Sequence, residues 1–96
     1  MYAVIFRAEI NELDDIYAVA AAKLRDLALN EYGCIEVIAM SEGNNELTIS
    51  YWNDEKSIKQ WKANSEHIIA QSVGQTKWYK NYHIQIVKLV REYGSE

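Results

Sequence analysis

Apolar and polar positions alternate with a period of two at the start of the chain and shift to steps of three and four soon after. From Tyr2 to Glu9, the residues Tyr2, Val4, Phe6 and Ala8 fall on one side and Ala3, Ile5, Arg7 and Glu9 on the other, which predicts a strand. Asn11 is placed to cap a helix, with Glu12, Asp14 and Asp15 bringing negative charge to the positive end of its dipole. Leu13, Ile16, Tyr17, Ala20, Leu24, Leu27 and Ala28 form one helical stripe, and Gly33 supplies a left-handed residue to end it. Alternation returns in Cys34–Ser41 and again in Glu46–Trp52. The turn-forming run Glu42-Gly43-Asn44-Asn45 between them predicts a hairpin.

Asn53 is expected to cap the next helix, which begins Asp54-Glu55 and turns Ile58 and Trp61 inward. Asn64 and Ser65 are also good caps, so a break is expected near Ala63-Asn64-Ser65. A new helix would start at Glu66 and run to Val73, with Gly74 as its stop. Gln75–Asn81 fits a helical turn and a loop equally. Tyr82–Tyr93 alternates as the longest strand, with Tyr82, Ile84, Ile86, Lys88 and Val90 opposite His83, Gln85, Val87, Leu89 and Arg91. The order β-α-β-β-α-β over one domain, residues 1–96, predicts the α+β class: a ferredoxin-like antiparallel sheet with its helices on one face.

Helices shield one face of such a sheet, and the other is usually polar. Here both parities are apolar. Ala3 and Ile5 oppose Val4 and Phe6, Ile35, Val37 and Ala39 oppose Ile38 and Met40, and Val87 and Leu89 oppose Ile84, Ile86 and Val90. An uncovered face of that kind exceeds what soluble monomers normally expose. A homodimer packed through the sheet face is therefore expected, and it would add the burial that a chain of 96 residues lacks.

Composition narrows the classes of function. A net charge of −4 argues against nucleic acid as a partner, because its binders carry a basic face; Lys56, Lys59 and Lys62 read as one solvated helix face. No apolar run approaches a membrane span, and the N-terminal segment lacks the features of a signal peptide, so a cytoplasmic protein is expected. Cys34, the single cysteine, falls in an apolar pattern as a small buried hydrophobe.

Candidate chemistry concentrates between Ser50 and Tyr93, where Trp52, Trp61, Trp78, Tyr51, Tyr79 and Tyr82 accompany both histidines, His67 and His83. This mixture suits the wall of a pocket for a flat organic molecule, and equally an aromatic core. His67, Gln71 and Gly74 share one helical stripe, with Trp61 before it and Trp78 after. An imidazole in a partly apolar pocket is neutral and basic near neutral pH, which makes His67 the candidate proton acceptor; a helix-surface histidine is the plain alternative. His83 reads as structural. Tyr51, Tyr79 and Tyr82 are possible hydrogen-bond donors to a ligand oxygen, or core residues. Arg7, among apolar strand neighbours, needs a carboxylate or a ligand oxygen. The chain has no Gly-rich phosphate loop, no metal-spaced His or Cys set and no nucleophile signature, so an enzyme built from it would work by positioning and proton transfer, with no cofactor.

The segment Ser50-Tyr51-Trp52-Asn53, followed by Glu55, Ile58, Trp61-Lys62, His67, Ala70-Gln71, Gly74, Trp78-Tyr79, Tyr82 and Val90-Arg91-Glu92-Tyr93, resembles the antibiotic biosynthesis monooxygenase family of dimeric α/β-barrel proteins. The resemblance implies a homodimer whose two sheets pack into a barrel, with a pocket in each subunit between helices and sheet. It implies oxidation of a quinol or polycyclic phenol without metal or flavin: the substrate loses a proton and its anion reacts with dioxygen. On that reading His67 is the base and Trp61, Gln71, Trp78, Tyr82 and Arg7 contact a small aromatic substrate. The family also includes haem-degrading enzymes that use an Asn, a Trp and a haem-ligating His. Trp61 is similar to that Trp, but Gln71 stands where the His is expected and the first strand has Arg7 without an Asn, so haem degradation is disfavoured. A non-catalytic dimer that binds or senses a small molecule in the same pocket is the other reading.

Overall fold

The computed structural model describes residues 1–13, 15–72 and 78–95, with the side chains of 66–72 outside that description. Six elements follow in order: β1 (Tyr2–Ile10), α1 (Asp15–Glu31), β2 (Glu36–Glu42), β3 (Asn45–Trp52), α2 (Glu55–Ser72) and β4 (Tyr79–Lys88). The four strands form one antiparallel sheet in the order β2-β3-β1-β4. This is the expected α+β, ferredoxin-like βαββαβ arrangement. No described helix is long and apolar enough to cross a membrane.

Directly opposed residues of an antiparallel pair point to the same face. The registers Tyr2↔Trp52, Val4↔Ser50, Phe6↔Thr48 and Ala8↔Glu46, with Lys88, Ile86, Ile84 and Tyr82 opposite the same β1 residues, therefore define one face in four rows. The helices lie on this face. Val4 and Trp52 pack there with Ala28 of α1, Ile58 of α2 and Cys34, and Tyr2, Tyr32, Val37 and Trp61 close around them. Trp52 is 0% exposed, and its indole N–H donates to Ser50 Oγ at 2.9 Å. Cys34 is buried as expected, although it precedes β2.

Two glycines act through positive φ. Gly33 (φ 76°) turns the chain out of α1 while the Cys34 N–H returns to the Ala28 carbonyl at 2.9 Å. Gly43 (φ 58°) opens the two-residue turn between Glu42 and Asn45, a position at which hairpins favour glycine.

The structure corrects several local expectations. α2 does not break at Asn64 and Ser65. Both side chains are engaged inside the helix layer: Ser65 Oγ donates back to the Trp61 carbonyl at 2.7 Å, and Asn64 Nδ2 donates to the Tyr32 hydroxyl at 3.1 Å. The cap of α2 is Asp54, one residue beyond Asn53, because its Oδ1 accepts the Ser57 N–H at 2.7 Å. α1 starts at Asp15 and not directly after Asn11, whose N–H donates to the Trp78 carbonyl at 2.7 Å. Leu13 thus precedes the helix, and Leu13 and Ile16 of the expected stripe remain exposed while Tyr17 turns inward. β4 begins at Tyr79 and ends at Lys88, short of Tyr93; the next residue, Leu89, donates its N–H to the Met1 carbonyl at 2.9 Å. The expected stop at Gly74 lies outside the described residues.

Trp52→Ala should destabilise the protein by about 3–5 kcal/mol, through lost burial and the cavity left behind. A fall in the urea midpoint with an unchanged denaturant slope would show it. The Asp54 carboxylate accepts the Ser57 N–H, which holds its pKa below the ordinary value. A depressed carboxyl stabilises the fold above its unfolded pKa and loses that contribution as pH falls through its folded pKa. Asp54→Ala should therefore lower the neutral-pH midpoint where Asn53→Ala does not, and the gap should close in acid.

Candidate functional site

β3 sets the chemistry of the helix-side face. At alternate positions it presents Glu46, Thr48, Ser50 and Trp52, so an apolar anchor at one end gives way to polar groups at the other. Glu46 shares its row with Ala8 of β1 and Tyr82 of β4, and Ala8 is too small to fill the space above it. Tyr17 of α1 reaches into that space and donates to both carboxylate oxygens of Glu46, at 2.8 and 2.7 Å. The Tyr79 hydroxyl in turn donates to the Tyr17 hydroxyl at 3.2 Å. Burial raises the Tyr17 pKa well above that of an ordinary phenol, and its hydrogen bonds with Tyr79 and Glu46 raise it further. Burial also pushes Tyr79 up to about 12, against the lowering effect of its bond to Tyr17. Both phenols keep their protons at neutral pH.

The rings of this group continue as an aromatic set. Trp78 meets Tyr17 edge to face at 5.1 Å and 84°, Tyr79 meets Phe6 at 5.4 Å and 74°, and Tyr82 lies 6.0 Å from Phe6 and 6.2 Å from Tyr79. Such geometries suit the ring quadrupoles. Trp78 is 4% exposed and held by its carbonyl, which accepts the Asn11 and Glu12 N–H groups; its indole N–H has no acceptor among the described residues. Tyr82 is 62% exposed, and Ile84 and Ile86 beyond it on the same face are also exposed. The helix-side face of β4 is thus a half-exposed apolar shelf beside a half-buried carboxylate and two hydroxyls.

The residues singled out from sequence are distributed over three places. Trp78 and Tyr82 join the aromatic set around Phe6 and Tyr79. Trp61 stands apart from it, tilted against Trp52 at 5.4 Å, with its N–H donated to the Leu24 carbonyl of α1 at 3.0 Å. Arg7 lies on the opposite face, level with Leu47 and His83, and with Glu9, Met40, Glu42 and Asn81 it lines an open hollow of about 730 Å³. The side chains of His67 and Gln71 lie outside the described residues. Among the described residues, no three His, Cys, Asp or Glu side chains converge as metal ligands.

Sequence reasoning passed over Glu46 and Tyr17. Glu46 shares the parity of Trp52, so an acid on the side of the most buried ring was a readable signal. Tyr17 sat on the helical stripe, where a phenol looks like any other core ring.

No protein-family model matches the chain. Uncharacterized protein YqjZ of Bacillus subtilis is 32% identical over 92 residues, which cover 95% of this chain and 81% of that protein. Jasmonate monooxygenase ABM of Pyricularia oryzae is 33% identical over 90 residues, 90% of this chain; the match spans only 42% of that longer protein. The chain belongs to the antibiotic biosynthesis monooxygenase family. Its fold is shared with SnoaB of Streptomyces nogalater, described as a cofactor-independent oxygenase, at a TM-score of 0.76 over 98% of this chain and 97% of that one; sequence identity there is 9%. So low an identity with the same backbone means that the family fold tolerates almost complete replacement of side chains, and the residues of each site must be read from its own chain.

Proposed function

We propose that this family member is a monooxygenase that oxidises a quinol or polycyclic phenol with dioxygen, without metal or flavin, and that it works as a homodimer. The observation that carries this reading is the aromatic set of Tyr17, Trp78, Tyr79, Phe6 and Tyr82, opening onto the exposed helix-side shelf of β4. A flat substrate laid on this shelf meets ring edges and aliphatic side chains along its length and hydroxyl groups at one end. Further support comes from the names of the proteins the chain is similar to, a jasmonate monooxygenase and a cofactor-independent oxygenase.

In the proposed reaction His67 takes a proton from the substrate, and the electron-rich anion donates to dioxygen. Recombination forms a carbon–oxygen bond to a peroxide, and its O–O cleavage leaves a carbonyl on the ring and releases water. The ring C–H and the O–H of the phenol, a methylene and a carbonyl in its keto tautomer, and one dioxygen thus become two carbonyls and one water, which balances atoms and electrons. Trp61, Gln71, Trp78 and Tyr82 are assigned to the substrate's surroundings. Arg7, on the far face, is assigned to the subunit interface.

The dimer follows from the face the helices leave bare. Ala3, Ile5, Ile38, Met40, Leu47, Ile49, Tyr51 and Val87 share it by register, and Met40 is 65% exposed. A second copy laid on this face would remove that apolar surface from water.

An anthrone or quinol substrate should produce oxygen uptake, with one labelled oxygen atom from ¹⁸O₂ in the product. His67→Ala should slow turnover by about 10²–10⁴-fold, as loss of a general base does. Absence of turnover above buffer across a panel of quinols and anthrone-like phenols, with the protein folded, would remove the oxygenase reading; saturable binding without turnover would point to a sensor. For the dimer, Met40→Glu should convert a sedimenting dimer into monomers while leaving the helical circular dichroism in place.

A further inference from the structure

A hydroxyl carries one hydrogen, and an ionised carboxylate only accepts. Tyr17 therefore spends its hydrogen on Glu46, whose two oxygens lie 2.8 and 2.7 Å from it. Toward Tyr79 it can only accept, so Tyr79 must spend its own hydrogen on Tyr17, at 3.2 Å. The polarity of the whole chain is set by the carboxylate at its end. What remains at the Tyr79 oxygen is lone pairs alone.

Resting on the proposed aromatic-ligand reading, we propose that the Glu46–Tyr17–Tyr79 chain makes Tyr79 an obligate hydrogen-bond acceptor, which selects ligands that bring a hydroxyl donor over those that offer only an ether or carbonyl oxygen. Tyr79 is the contacting group, and Tyr17 is a positioning residue that acts by occupying the Tyr79 hydrogen. The location suits this role. Tyr79 lies at the end of the β4 shelf, its ring against Phe6 and near the exposed Tyr82, so a ring system lying on Tyr82 and Ile84 brings a peripheral substituent toward it. Both phenols stay protonated at neutral pH, so the chain does not lose its polarity by ionising. The chemical consequence is a bias between substrate and product: a phenol or quinol donates to Tyr79, whereas a quinone carbonyl presents lone pairs to lone pairs and is released.

The test compares 1-naphthol with 1-methoxynaphthalene, titrated calorimetrically without oxygen against the protein and its Tyr79→Phe and Tyr17→Phe variants. Both substitutions keep the ring and its packing, and circular dichroism checks the fold. The unaltered protein should bind the naphthol about 2- to 10-fold more tightly than the ether, the range of one neutral hydrogen bond. Tyr79→Phe should weaken the naphthol and leave the ether unchanged. Tyr17→Phe should do the reverse: the freed Tyr79 hydrogen can now donate, so the ether gains affinity and the preference falls toward one. A purely structural tie between α1 and β3 would not change the preference, so an unaltered ratio and ether affinity in Tyr17→Phe, with both aromatics still bound, overturns the inference and leaves the site reading intact. If neither aromatic binds even the unaltered protein, the site reading fails and the inference fails with it.

Discussion

The burial of Trp52 is the interaction on which the rest of this structure depends. It ends β3 at the row shared with Tyr2 and Lys88, and the helices meet the sheet around it. Trp61 tilts against its ring and gives its own N–H to the Leu24 carbonyl, so the contact that seats α2 on the sheet also ties α2 to α1. Ile58 and Ala28 fill in from the two helices. Drawing the helix layer together at this end leaves the far end of the same face to different residues. There Tyr17, Trp78 and Tyr79 replace aliphatic packing, and β4 keeps part of its helix-side surface open.

A carboxylate on the helix side of a central strand needs partners, because taking its charge from water is costly unless hydrogen bonds replace the lost hydration. Among the described residues, Glu46 receives them from a phenol rather than from a lysine or arginine. This choice matters chemically. A cation would neutralise the carboxylate and stop the interaction there, whereas a hydroxyl passes its demand for a hydrogen to the next hydroxyl, Tyr79. Ala8 makes the arrangement possible by leaving room above the row between Glu46 and Tyr82. A larger side chain at Ala8 would keep the Tyr17 hydroxyl away from the strand. The site is thus a product of packing as much as of the polar residues themselves.

The two faces of the sheet divide the protein's tasks. The helix side carries the core at one end and the aromatic set at the other. The bare side is largely apolar in its centre, with Glu36 beside Tyr51 at one end and Arg7, Glu9 and Glu42 around the hollow at the other. That second face keeps exposed apolar residues such as Met40, and this is the physical ground for the proposed association with another copy.

Element order, strand alternation and the apolar character of both sheet faces were legible along the sequence, because the period of the apolar residues follows directly from strand and helix geometry. Gly33 and Gly43 likewise announced their turns through the backbone freedom they supply. Local signals failed where two outcomes used the same side chain. Asn64 and Ser65 are as able to bond within a continuous helix as to cap a new one, and only the approach of Tyr32 and the Trp61 carbonyl decided between them. Asn53 was the expected cap, but the backbone path gave that place to Asp54, whose carboxylate is an equally able acceptor. The site depended still more on tertiary structure. Trp78 and Tyr82 were visible as aromatic residues, but Tyr17 and Glu46 stand 29 positions apart, and Tyr79 lies 62 from Tyr17. Periodicity assigns a residue to a face; it does not say which distant residue will occupy the space above it. The sequence by itself determined which side chains share each face, and only the tertiary packing that brings Tyr17 of α1 to Glu46 of β3 and Tyr79 of β4 decided that a carboxylate and two phenols would form one hydrogen-bonded chain.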